Sequence, residues 1–462
     1  MAYDLIVLGG GAAGMGAART AARRRARVVM VQAGPVGGDC TFVGCVPSKT
    51  LIEAAAQGHA FDAAMTRVHE AVARVAANET ASVLRRERVD VIEGEARLVG
   101  AGRVDVNGRE LTASRTVIAT GAGPVIPSIP GLDGLDVLTN ENVFELTERP
   151  ASLVVIGGGP VGVELAQAFA RLGTTVTVVD AADRVLPREE AEASQVVTAA
   201  LAADGVTVVA GRNITAARAD PAGVRVDLDD GTSVAASRVL VAIGRRPATT
   251  GLGLDAAGVA LDERGFVRTD DHLRTTAPNV WAAGDVAGRL QLTHAADDMG
   301  RIAAANALAK VAWRRYRENA MPAVTFTSPE VARVGMTETA AAASVDGARV
   351  AYLPMADVDR AIAAGRTEGF VKLVAGPRRL TGNTAGGRLL GATIVAARAG
   401  EMIHEPALVM RTHLGPGPLA LTTHAYPTWS VAIRQAAAQL FFDVNGHHAR
   451  PAQPQPSPPP KT

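Results

Sequence analysis

Two glycine signatures with matching surroundings constrain this chain more than any other feature. Gly9-Gly10-Gly11-Ala12-Ala13-Gly14 follows a short apolar run at 3–8, and Gly157-Gly158-Gly159-Pro160-Val161-Gly162 follows another at 153–156. After the first, residues 12–25 read as an alanine-rich helix and 27–32 as a second strand; after the second, a helix opens and residues 175–180 form the matching strand. First glycine and end of second strand are 23 positions apart in both units (9 to 32 and 157 to 180). In a strand–turn–helix unit the glycines provide a tight turn, close approach to a pyrophosphate and helix–strand packing. One such signature is weak evidence. Two with the same context and spacing specify two dinucleotide-binding units.

A second repeat agrees. Arg115-Thr-Val-Ile-Ala-Thr120-Gly121 is echoed by Arg238-Val-Leu-Val-Ala-Ile-Gly244, each a buried strand ending in glycine downstream of its own signature. Beyond about residue 320 the pattern changes. Strands at 324–327, 370–374 and 389–395 suggest an antiparallel sheet, with helices around 400–413 and 429–441. The expected fold is α/β, with two Rossmann-like domains and a C-terminal α+β domain. The expected boundaries are 1–150 for the first domain, 151–270 for the second, 271–320 for a return to the first, and 321–446 for the third. From His447 the chain is rich in Pro, Gln, Ser and Ala, and 447–462 is expected to be disordered.

The chain has two cysteines, Cys40 and Cys45, just beyond the first unit. A structural bridge disagrees with the absence of a secretory signal, and zinc needs about four ligands where two sulfurs are offered. Two buried thiols are the plainer alternative; their place just beyond a dinucleotide-binding unit favours a redox pair facing a cofactor. Pro47 suits the first turn of a helix running on through Lys49, which puts Cys45 near a helix N-terminus where backbone N–H groups favour a thiolate. Lys+Arg of 47 against Asp+Glu of 46 gives no argument for nucleic acid or an anionic membrane as partner. No apolar run reaches the ~18–20 residues of a membrane span. The chain enters a strand at once, so no signal peptide is expected and the cytoplasm is the expected compartment.

Together these motifs resemble the FAD-dependent pyridine nucleotide-disulfide oxidoreductases, the group that holds dihydrolipoamide dehydrogenase, glutathione reductase and mercuric reductase. The resemblance runs from residue 3 to about 443. Gly37 to Cys45, Asp359-Arg360-Ala361-Ile362 and the stretch 164–173 look most like mercuric reductases and their relatives. It implies that hydride passes from NAD(P)H through FAD to a Cys40–Cys45 disulfide and on to a small disulfide or other thiol-reducible acceptor. It implies that Cys45 faces the flavin and Cys40 meets the substrate. FAD would be held by Gly9, Gly11, Gly14, Gln32, Gly38, Lys49, Thr120, Gly121 and Asp285, and the nicotinamide nucleotide by Gly157, Gly159, Gly162, Asp180 and Gly244. The segment Pro278 to Asp285 resembles the one that completes the FAD domain, so the second domain would be inserted within the first. Lys49 and Glu164 match an ion pair near flavin N5; on the residues alone they read as an exposed first-turn lysine and a solvated helix glutamate. The third domain implies a homodimer in which the 424–426 segment reaches Cys40 of the partner subunit.

Three departures bear on function. Gln32 stands where an acidic residue is expected on the FAD ribose; its oxygen still accepts a hydrogen bond but carries no charge. The C-terminal His and Glu that serve as base in disulfide-reducing relatives are replaced by Tyr426 and Val431, and a phenol of pKa ~10 is a poor base near neutrality. His424, two residues earlier, is either a substitute or a residue that structures the turn. Finally, the vicinal cysteines that end mercuric reductases are absent, so the oxidative half of the reaction is not specified. The alternatives are a metal-ion or quinone reductase, a dihydrolipoamide dehydrogenase and a redox-sensing flavoprotein. Asp180 at a strand end favours NADH over NADPH, because a carboxylate there repels a 2′-phosphate. Arg184 reads as an ion-pair partner of Asp183 or a solvated loop residue. No resident metal is expected.

Overall fold

In the computed structural model, which describes residues 3–100 and 102–454, both glycine signatures lie where a buried parallel strand turns into a helix. The chain forms two compact units. One gathers the described residues up to Ser128 with Asp136–Arg149 and Leu240–Arg317. The other holds Ile129–Leu135, Pro150–Val239 and the described residues from Glu318 on.

The first unit is built on a five-stranded sheet in the order Val280–Ala282, Thr116–Ile118, Leu5–Leu8, Val28–Gln32, Val89–Glu93. All its pairings are parallel, with Leu5 opposite Val28 and Ile6 opposite Thr116. Leu5–Leu8 has no polar residue because helices or sheet cover both of its faces, as parallel strands require. The helices Ala12–Arg23 and Thr293–Ala307 pack together. A small antiparallel sheet, Ala96–Gly100 with Arg103–Val106 and Arg109–Thr112, contributes Leu98, Val104 and Leu111 to a core shared with Ile6, Val29 and Ile118. The sequence reading returns the chain to this unit at 271, whereas the structure returns it at Leu240. The reason is local: the strand Arg238–Val241 is followed within a few residues by Arg245–Pro247, which pairs antiparallel with Ala122–Pro124.

In the second unit, Ser152–Ile156, Thr175–Asp180 and Thr207–Ala210 run parallel, and the helix Pro160–Arg171 follows the glycines. A six-stranded antiparallel sheet then runs in the order Pro322–Thr325, Glu330–Gly335, Arg388–Ala396, Phe370–Gly376, Arg349–Pro354, Arg450–Pro451. The helices His404–Arg411 and Val431–Ala438 bury Ala407, Val409, Ile433 and Ala436 against its Leu373, Ala392 and Ile394.

Disorder from His447 is therefore corrected as far as residue 454. Arg450–Pro451 forms the edge strand beside Arg349–Pro354, and the Arg450 guanidinium grips the Glu338 carboxylate. An edge strand tolerates proline, and the segment is tied down further by the Ala449 N–H on the Gln439 carbonyl at 3.0 Å, the Ala452 N–H on the Ala348 carbonyl at 2.9 Å and the Gln453 N–H on Glu338 Oε1 at 3.1 Å. The rest of the expected tail, 455–462, lies outside the described residues.

Candidate active site

The glycine turns are shaped as cradles. A Cβ on Gly14 would stand 1.9 Å from the Gly9 carbonyl oxygen, and one on Gly162 the same distance from that of Gly157; each helix lies hard against the strand before it. A Cβ on Gly11 would meet only the Gly38 Cα, at 3.8 Å, and one on Gly159 nothing within 4 Å. Both turns thus keep open space at the helix N-terminus, where backbone N–H groups and the helix dipole favour phosphate oxygens. The residues present fit a dinucleotide in each cradle.

Behind the first turn, Gln32 Oε1 accepts the Gly10 N–H at 2.5 Å, while its Nε2 donates to the carbonyls of Ala33 at 2.9 Å and Pro35 at 3.2 Å. In the second unit Asp180 Oδ2 accepts the Gly158 N–H in the equivalent place, and Oδ1 accepts that of Ala182 at 2.7 Å. Arg184 takes backbone carbonyls in place of the expected Asp183. Its guanidinium donates to the carbonyls of Pro187 at 3.2 Å and Glu189 at 3.5 Å.

The cysteines are carried to the first cradle by backbone packing. Gly37 N–H donates to the Gly10 carbonyl at 3.0 Å, and a Cβ on Gly38 would come within 2.7 Å of Gly11 Cα. Gly38 has φ +65°, so glycine suits this close approach of two chains. The short helix Gly38–Phe42 bears Cys40, and Cys45 is the first residue of the helix Cys45–Ala56, as the sequence reading places it. Lys49 lies one turn further along that helix. The two thiols hydrogen-bond each other. That bond, then burial, pushes the Cys40 thiol well above its ordinary value, with a contact from Thr293 acting the other way. Thr293 Oγ1 lies 3.1 Å from Cys45 Sγ.

Past the sheet, Asp285 follows the strand Val280–Ala282, and burial raises its carboxyl pKa against the opposing pull of Arg245, whose Nε lies 3.2 Å away. The same guanidinium reaches Asp39 and the Ala122 carbonyl. Thr120 Oγ1 donates to the Ala248 carbonyl at 2.8 Å, Gly121 accepts the Ala248 N–H at 3.0 Å and Gly244 that of Val125 at 3.0 Å. The segments that follow the two glycines, Ala122–Pro124 and Arg245–Pro247, are therefore paired. Thr293, Arg245 and Asp39 escape a sequence reading because distant chain segments bring them in. The only local signals are that Arg245 follows Gly244 and that Thr293 opens a helix.

In the second unit Glu164 is 4% exposed and its Oε1 accepts the Phe326 N–H at 2.8 Å, so it is not a solvated helix residue. The C-terminal segment has its polar groups engaged. Tyr426 donates its hydroxyl to Asp359 Oδ2 at 2.9 Å, and that bond, followed by the carboxylate's charge, raises the phenol pKa. His424 Nδ1 lies 2.9 Å from the Thr422 carbonyl and Nε2 2.9 Å from Glu405 Oε2. Both ring nitrogens face acceptors. That arrangement suits a histidine holding the turn. Among the described residues no group of three or more His, Cys, Asp or Glu is placed to hold a metal ion, and no helix is long and apolar enough to cross a membrane.

The same architecture appears in known proteins. Residues 3–300 match the pyridine nucleotide-disulphide oxidoreductase model, and residues 321–437 match the dimerisation domain of that name. A mercuric reductase of Streptomyces lividans is 36% identical, over 96% of this chain and 97% of its own length. A dihydrolipoyl dehydrogenase of Thermus scotoductus is 35% identical, over 95% of this chain and 97% of its own. The Cu(II) complex of the HOCl-induced flavoprotein disulfide reductase RclA from Escherichia coli superposes with a TM-score of 0.87. It shares 31% identity and covers 95% of this chain and 99% of its own.

Proposed function

This chain belongs to the pyridine nucleotide-disulphide oxidoreductases, and from that premise we propose that it carries electrons from NADH to a thiol-binding metal ion, with Cu(II) as the leading candidate. It is an NAD(P)H-dependent flavoprotein disulfide reductase that binds FAD. Bound in the first cradle, FAD supplies the two-electron relay between nicotinamide and dithiol. The residues of the chain do the rest. Cys45, at a helix N-terminus beside Thr293, is the thiol suited to the thiolate state. Cys40, held as a thiol, is the one that meets the acceptor. The matching dimerisation domain supports a homodimer, in which the 424–426 segment would come to Cys40 of the partner subunit.

The observation that carries the choice of acceptor is the engagement of Tyr426 with Asp359 and of both His424 nitrogens. With no base in that segment, the acceptor must itself displace the Cys40 proton. A metal ion does so, because ligation by sulfur requires the thiolate and releases the proton. The balance is one dithiol and two Cu(II) giving one disulfide, two Cu(I) and two protons. The neighbouring flavoprotein, solved as a Cu(II) complex, supports the same reading. Lipoamide, a disulfide whose exchange with Cys40 needs a base to take the thiol proton, is the acceptor this site suits least.

The test is steady-state NADH oxidation with Cu(II), a mercuric–thiol complex, menadione, lipoamide and glutathione disulfide. Turnover with Cu(II) at least tenfold above that with lipoamide is expected, and should be lost in Cys40→Ser. Lipoamide turnover above that with either metal would reject the proposal.

A further inference from the structure

At the other end of the first unit's sheet lies a cavity of about 810 Å³. It opens where Arg115 enters the strand Thr116–Ile118 and Pro278-Asn279 enters Val280–Ala282, whereas Asp285 lies past the opposite end of the latter. Arg115, Arg268, Arg274 and Lys310 line it, against one carboxylate, Asp270. That carboxylate is already taken by Arg274 at 2.7 Å. Among the described residues no hydrogen bond or ion pair engages the side chains of Arg115, Arg268 or Lys310. In a chain whose formal net charge is only +1, this concentration of cations is local.

The walls are also held in place. Asn306 is 2% exposed and every hydrogen-bonding position of its amide is used. Nδ2 donates to the carbonyls of His272 at 3.1 Å and Arg314 at 2.8 Å, and Oδ1 accepts the N–H groups of Trp313 at 3.2 Å and Arg314 at 3.0 Å. Tyr316 N–H adds a bond to the Asp271 carbonyl at 2.8 Å. This clasp joins the loop after Lys310 to the segment around His272, yet leaves Trp313 65% and Val311 74% exposed. The Arg314 guanidinium lies over the Trp313 ring, 4.9 Å from its centroid, so the loop presents a further cation together with an aromatic side chain.

We propose that this cavity binds a ligand through a phosphate-type anionic group. Guanidinium and ammonium groups around a concavity focus positive potential and match phosphate oxygens. The volume falls within the roughly 300–1,000 Å³ of ligand pockets. Trp313 beside the mouth supplies an apolar face for the rest of the ligand, which is either a soluble phosphate ester or the headgroup of an anionic lipid.

The test uses the FAD-loaded protein saturated with NAD⁺, so that both glycine cradles are filled. Calorimetric titration with inorganic pyrophosphate and co-sedimentation with phosphatidylglycerol or phosphatidylcholine vesicles form the two arms. At least one anionic probe should bind, with at least tenfold loss in the double variant Arg268→Ala/Lys310→Ala and retention in Arg268→Lys/Lys310→Arg; NADH oxidation should not change in either. Pyrophosphate binding without vesicle recruitment identifies a soluble ligand. Recruitment to phosphatidylglycerol alone, weakened by Trp313→Ala, identifies a lipid headgroup. If neither anionic probe binds, or if the alanine variant binds as the unaltered protein does, the proposal is wrong.

Discussion

Asp180 closes the second glycine turn by accepting the Gly158 N–H, so its carboxylate is fixed at the strand end, where a nucleotide's ribose would come. A second bond from Ala182 N–H holds its orientation. A fixed negative charge there accepts hydrogen bonds from free ribose hydroxyls and repels a 2′-phosphate. Arg184 does not counter it, being turned to the Pro187 and Glu189 carbonyls. One unpaired repulsion at a partly exposed site is worth roughly 1–3 kcal/mol, about ten- to a hundredfold. NADH should therefore show the higher kcat/KM by that margin, and Asp180→Ser should narrow the gap. Equal efficiency with NADPH in the unaltered protein would count against this assignment.

Gln32 makes a less obvious prediction. Its amide nitrogen is committed to the Ala33 and Pro35 carbonyls, so the loop after the strand is built for a donor at this position. Gln32→Glu restores the charge expected on sequence grounds but sets a carboxylate oxygen against two carbonyl oxygens. Losing two hydrogen bonds at a half-buried group costs about 1–3 kcal/mol. FAD retention on thermal ramping should be no better in Gln32→Glu than in the unaltered protein, and the melting temperature lower. Tighter FAD binding with unchanged stability would contradict the reading.

What the sequence reveals and conceals here follows from chain distance. The nucleotide cradles are legible because their glycines and strand ends lie within 23 residues (9 to 32). The cysteine pair is legible for the same reason, since Pro47 and the spacing locate the helix start. Thr293 against Cys45 is not, because the contact spans 248 residues and a threonine at a helix start does not by itself point to a thiol that far away. Arg450 is hidden in the same way: its partner Glu338 is 112 residues earlier, while composition alone points to a disordered tail. His424 and Tyr426 are found by pattern, but whether either is a free base depends on Glu405 and Asp359, which the pattern does not include.

The Tyr426–Asp359 bond predicts a pH profile. The phenol is raised from its ordinary 10.0 by donating to Asp359 and by that carboxylate's charge, so it stays protonated throughout the neutral range. Acceptor turnover should therefore show no basic limb from this group between pH 7 and 10. Tyr426→Phe and His424→Ala should each alter acceptor turnover less than threefold and leave reduction of the bound flavin by NADH unchanged, the hydroxyl being engaged by Asp359 and the ring serving the turn. Stopped-flow separation of the two half-reactions checks this; a slowed flavin reduction in Tyr426→Phe would place the residue elsewhere.

The last prediction concerns Lys372, which is 1% exposed and lies 3.3, 2.7 and 2.9 Å from Glu190, Glu192 and Glu338. Glu338 is also gripped by Arg450, so three carboxylates share two cations. Burial raises the Glu190 carboxyl pKa against the pull of Lys372. Glu338 is lowered: burial alone would raise it, but its bonds to Arg450 and Lys372 prevail. The signs then differ. The stabilisation from Glu338 is complete above its ordinary 4.5 and is lost as pH falls through its lower folded value. Glu190 has a folded pKa above its unfolded one, so its charge costs stability near neutrality and protonation relieves that cost. Lys372→Met removes the central cation and should lower stability by about 3–5 kcal/mol at pH 7, as breaking a buried pair does. Because the carboxylates it leaves can be neutralised by protons, the deficit should shrink as pH is lowered from 7 toward 5. Denaturant melts of both proteins across that range measure it. A deficit that stayed constant or grew toward pH 5 would show that Lys372 acts through packing and not through charge.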